Sequence, residues 1–82
     1  MRAVPNPSRN ATTLAFHLDA AGPVRLTLID ALGRTVAVLH DGELAAGEQT
    51  ARVDTSRLPA GVYVARLDAG GRVETRRLTV VR

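Results

Sequence analysis

VRLTLIDALGRTVAVLHD, residues 24–41, reads as two extended segments joined by a tight reversal. In its first half Val24, Leu26 and Leu28 alternate with Arg25 and Thr27, the period-two pattern of a strand with one face buried. Asp30-Ala31-Leu32-Gly33 follows, and Gly33 is free to take the positive φ that closes a hairpin through a bulge. Residues 35–41, TVAVLHD, form the returning strand. Apolar side chains fall on both of its faces, which predicts a central strand covered on both sides.

The same alternation continues outward. Before the hairpin, Leu14, Phe16 and Leu18 alternate with Thr13, Ala15 and His17, and Ala21-Gly22-Pro23 breaks that strand from the next. After the hairpin, residues 42–46, GELAA, read as a connection. Gly47 then opens GEQTARVD, where Thr50, Arg52 and Asp54 oppose Gln49, Ala51 and Val53, a weaker pattern suited to an edge strand. Residues 55–61 are a turn cluster, VYVARLD is a further strand from Val62 to Asp68, and Ala69-Gly70-Gly71 reverses the chain into RVETRRLTVVR. With a short extended piece at Ala3 and Val4 this makes about seven strands at roughly 8-to-12-residue spacing and no helical period. The expected architecture is all-β, an immunoglobulin-like antiparallel β-sandwich. Residues 1–82 form a single domain, with 1–11 as a leading turn segment and 12–82 as the sandwich.

At 82 residues the core is thin, since a domain of this size buries roughly 60–65% of the surface its unfolded chain exposes. There are no cysteines, so neither a disulfide framework nor a cysteine-ligated metal supplements the packing. All eleven cations are arginine, and eight acids bring the net charge to +3. The chain opens without the apolar stretch of a signal peptide and contains no membrane-spanning run. Its abrupt start, with Pro5-Asn6-Pro7 close behind Met1, reads like a module cut from a longer protein.

Little in the chain suggests catalysis. His17 and His40 each lie near a carboxylate, Asp19 and Asp41, but both read as solvent-facing strand residues rather than metal ligands. Ser8, Ser56 and the threonines have no nucleophile elbow around them. The aspartates at 19, 30, 41, 54 and 68 fall at strand ends, where carboxylates accept backbone donors, and not as a glycosidase pair. With no Trp and a single Tyr there is no stacking platform for sugars or bases, and the dispersed arginines do not form a nucleic-acid track. No enzyme activity, cofactor, metal, nucleic acid or membrane insertion is therefore expected. Leu58-Pro59-Ala60-Gly61-Val62-Tyr63 is more informative. It sets a tyrosine at a strand start just after a turn, like the tyrosine corner of β-sandwiches, with Tyr63, Ala65 and Leu67 inward and Val62, Val64 and Arg66 outward.

Four segments carry a resemblance across nearly the whole chain: the opening Pro5, Asn6 and Pro7; the turn Asp30, Gly33 and Arg34; the segment from Gly47 and Leu58 to Gly61 and Tyr63; and the last strand with Arg76, Arg77, Leu78, Val80, Val81 and Arg82. Together they resemble the C-terminal sorting domain of proteins exported by the type IX, or Por, secretion system of Bacteroidetes-type bacteria. Two departures stand out: arginine replaces the lysine common in the family's last strand, and Thr79 stands where an aliphatic is usual. Arginine keeps the charge but presents a planar fork of donors.

The resemblance implies an address rather than an activity. Such a domain is joined to an N-terminal cargo domain, crosses the periplasm toward the outer membrane, is engaged by the type IX translocon and is removed by a sortase as the cargo reaches the cell surface or is released. Gly61, Tyr63, Arg76, Arg77, Leu78, Val80, Val81 and Arg82 are the expected recognition residues, and Pro5, Asn6, Pro7, Asp30, Gly33, Gly47 and Leu58 the structural motif. The related Ig-like domain of flagellar hook-capping proteins offers the alternative, a structural or interaction module of a larger surface protein. A sorting domain is expected to end its reading frame at Arg82, whereas a spacer is followed by more protein.

Overall fold

A computed structural model describes all of residues 1–82. Seven strands follow one another: β1 Arg2–Val4, β2 Ala11–Leu18, β3 Gly22–Asp30, β4 Thr35–Leu44, β5 Gly47–Asp54, β6 Gly61–Ala69 and β7 Arg72–Val80. They form two antiparallel sheets, one ordered β1-β2-β5 and the other β4-β3-β6-β7. The all-β antiparallel sandwich expected from the strand pattern is the architecture observed.

The alternation explains why the sheets stack. Leu14, Phe16 and Leu18 of β2 and Val24, Leu26 and Leu28 of β3 present one apolar face each. They join Ala3, Val53, Tyr63, Ala65, Leu67, Leu78 and Val80 in a single core drawn from both sheets. Apolar burial of this kind stabilises by roughly 25 cal/mol per Å².

The hairpin turn accounts for Asp30, Gly33 and Arg34. Asp30 Oδ1 accepts the N–H groups of Leu32 and Arg34, both at 2.9 Å, while the Arg34 guanidinium donates to Oδ2 at 2.8 Å. Gly33 takes φ 84°, a conformation in which a Cβ is strained. The backbone donor of Arg34 foremost, with the Arg34 side chain and the Leu32 N–H, holds the Asp30 carboxyl below the usual carboxylate range. At the β5–β6 connection Asp54 accepts the Ser56 hydroxyl and N–H, which lower its pKa in the same manner.

Two expectations are corrected. β4 is an edge strand, not a central one, and β3 and β6 hold the centre of the larger sheet. Ala37 and Leu39 pack on the core, but Val36 and Val38 on the opposite face are 40% and 52% exposed. Isolated exposed valines are ordinary on small domains, so apolar residues on both faces did not require two covering layers. The segment 42–46 is mostly strand, because β4 runs on to Leu44 and only Ala45 and Ala46 cross between the sheets. The short extended piece expected at Ala3 and Val4 is β1, with Ala3 buried opposite Leu14, and Ser8 in the leading segment is buried as well.

Candidate functional site

The last strand, β7, pairs with β6 without interruption from Ala69↔Arg72 to Gly61↔Val80 and has no strand on its other side. Sequence divides it into two halves. Leu78 and Val80 are 0% and 1% exposed and belong to the core. Every residue from Arg72 to Arg77 is exposed. The strand of the opposite sheet that touches β7 is β1, and at three residues it is too short to cover this half.

The outer edge is divided in the same way. Asn6 donates its side-chain amide to the Arg77 carbonyl at 2.9 Å and accepts the Thr79 N–H at 3.1 Å. Ser8 then donates its N–H to the Thr79 carbonyl and accepts the Val81 N–H, at 2.7 and 2.8 Å. Residues 6–8 thus imitate a short parallel strand laid along the end of β7, with a bridge between Ser8 and Val80. Pro5 and Pro7 have no N–H of their own, so the Asn6 side chain supplies the donor that this stretch of backbone lacks. The clamp is fixed from behind, where the Ser8 hydroxyl meets that of Thr55 at 2.7 Å and the Thr12 hydroxyl donates to the Pro5 carbonyl at 2.8 Å.

In an antiparallel ladder a residue's N–H and C=O point to the same side, and successive residues alternate. Val73 and Thr75 therefore aim their backbone groups the same way as Thr79, where nothing in the chain meets them. Around this open stretch stand Arg72, Arg76 and Arg77 against Glu74. Arg72 reaches Asp19 at 3.5 Å, whereas Arg76 and Arg77 pair with no carboxylate.

The other residues expected for recognition, and Gly47 and Leu58 of the expected structural motif, are engaged in structure. The Tyr63 ring is buried and its hydroxyl donates to the Pro59 carbonyl at 2.6 Å, closing the corner that the sequence suggested. Gly61 opens β6 opposite Val80, and Leu58 packs half-buried on the core. Gly47 opens β5 at φ 109°. Val81 is half-buried with its N–H held by Ser8, and the Arg82 guanidinium donates to the carbonyls of Arg9 and Thr55. The structure thus brings Pro5, Asn6 and Pro7 to the last strand, a contact between residues more than seventy positions apart that no local pattern announces.

The two histidines lie in different sheets. His17 is beside Glu48 at 3.0 Å and Asp19 at 3.5 Å, and His40 contacts the Gly42 carbonyl at 3.3 Å. No helix is long and apolar enough to cross a membrane. No curated protein matches the chain. A family model described as the secretion system C-terminal sorting domain matches residues 2–81, from β1 through the clamp, the Asp30 turn and the Tyr63 corner to the last strand. The chain belongs to the type IX secretion C-terminal sorting domain family, whose members signal export to the cell surface or the medium.

Proposed function

We propose that this domain is a non-catalytic label, engaged through β7 by the outer-membrane translocon and cut from its cargo by a sortase after passage through the periplasm. The family match supplies the class of function. The observation that carries the finer reading is the position of Arg76 and Arg77: adjacent on an edge strand, exposed, and without a carboxylate partner. Leu78 and Val80, buried in the core, hold that strand in place and present nothing to a receptor while the domain is folded.

Fusion of the domain to a periplasmic reporter in a host with the secretion system tests this. The double reversal Arg76→Glu/Arg77→Glu is expected to abolish export while leaving the melting of the isolated domain unchanged. Undiminished export of a folded double variant refutes the role of these arginines. Point variants are needed because deletion of residues 78–82 also removes two core side chains, Leu78 and Val80, and is expected to unfold the domain.

A further inference from the structure

Resting on the reading of β7 as the recognition strand, we infer that its open edge, residues 72–77, is an acceptor for an extended acidic peptide strand, and that the Asn6–Ser8 clamp fixes where that strand must stop. The four sheet edges differ in what they offer. β1 is three residues long, and the pairing of β4 with β3 shifts register opposite Leu26/Thr27 and Leu28/Ile29, which makes β4 irregular. β5 exposes Glu48, Arg52 and Asp54 in mixed sign. Bulges, brevity and mixed charge are the usual means by which edges are kept from pairing. β7 alone combines an uninterrupted register with a free stretch that carries three arginines, of which Arg72 already reaches Asp19, against one glutamate.

The geometry specifies the partner. A strand added antiparallel to β7 bonds to the free N–H and C=O groups of Val73 and Thr75 and to the N–H of Arg77, and cannot continue, because Asn6 already occupies the Arg77 carbonyl and the Thr79 N–H. Directly opposed residues share a face. Outside the sandwich the partner meets Val73, Thr75 and Arg77; toward the sandwich it meets Arg72, Glu74 and Arg76. Val73 is 53% exposed and invites an apolar residue, while Arg72, Arg76 and Arg77 invite carboxylates. The matching partner segment is Glu-Glu-Thr-Thr-Val-Glu, read from the residue opposite Arg77 to the one opposite Arg72.

The experiment uses that six-residue peptide with blocked ends, its Lys-Lys-Thr-Thr-Val-Lys counterpart, and the purified domain, followed by residue-resolved amide exchange and chemical shift. The acidic peptide is expected to slow exchange at Val73, Thr75 and Arg77 and to leave Thr79 unchanged. The Arg76→Glu/Arg77→Glu variant is expected to bind it roughly tenfold more weakly, a difference that shrinks at high salt. Equal binding of the two peptides, no response at millimolar acidic peptide, or protection confined to the β4 or β5 edge overturns the inference. Protection at the same amides that grows with domain concentration in the absence of peptide also overturns it, since the occupant is then a second copy of the chain. Peptide binding is read without export: a double variant that loses the peptide but is still exported refutes the translocon reading and leaves the acceptor edge standing.

Discussion

Replacing Leu78 by alanine separates the structural role of the last strand from its recognition role. Leu78 is fully buried, directly opposite Tyr63 across the β6–β7 ladder, in the one core that both sheets share. Truncation removes its buried carbons and leaves a cavity that a β-ladder held on one side by β6 and on the other by the Asn6 clamp closes poorly. Such Leu→Ala changes cost about 2–5 kcal/mol. An 82-residue domain has a total stability on the order of 4–12 kcal/mol. The variant is therefore expected to lose a large share of it, and its midpoint to fall by at least about 10 °C. Urea denaturation of the purified domain measures this, with the slope of the transition unchanged if only stability has moved. The exposed pair Arg76→Glu/Arg77→Glu is expected to stay within about 0.5 kcal/mol of the original protein in the same assay. If Leu78→Ala also unfolds within about 0.5 kcal/mol of it, or the arginine reversals destabilise more than the leucine truncation, the division of β7 into a buried anchor and an exposed reading half is wrong.

Tyr63→Phe removes the hydroxyl bonded to the Pro59 carbonyl and is expected to cost about 1 kcal/mol, seen as a lower melting midpoint; an unchanged midpoint means that the hydroxyl does not fasten the corner. Ser8→Ala leaves the buried Thr55 hydroxyl without its partner and is expected to cost about 1–3 kcal/mol, part of which the double change Ser8→Ala/Thr55→Val restores; strictly additive losses count against the pair acting as a unit. Because the Asp30 pKa is lowered from its ordinary 3.8, the stability it lends is complete above that value and is lost as pH falls through the lower folded-state value. The gap in melting temperature between the original protein and Asp30→Asn is expected to be constant near neutrality and to close below about pH 4; a gap that widens in acid reverses the sign of this argument.

Much of the fold was legible locally. The pleat puts successive side chains on opposite faces, so the alternations in β2, β3 and β6 named their buried residues without reference to the rest of the chain. The Asp30 turn and the Tyr63 corner were legible for the same reason, since each closes over four residues. The order of strands within a sheet was not: β4 was expected at the centre because its valines and leucine lie on both faces, and only the packing of the two sheets leaves Val36 and Val38 in water.

The recognition residues show the same boundary. Sequence marked the arginines and aliphatics of the last strand together, and burial sorted them, with Leu78 and Val80 in the core and Arg76 and Arg77 outside. Pro5-Asn6-Pro7 was visible as a motif, but its function as a clamp on Arg77 and Thr79 was not. Periodicity and turn chemistry act over a few residues, so sequence alone determined most of the strands, the faces of β2, β3 and β6, and the Asp30 and Tyr63 turns. Which edge stays open, and where it is closed, depends on hydrogen bonds between opposite ends of the chain, and those exist only once the two sheets have packed.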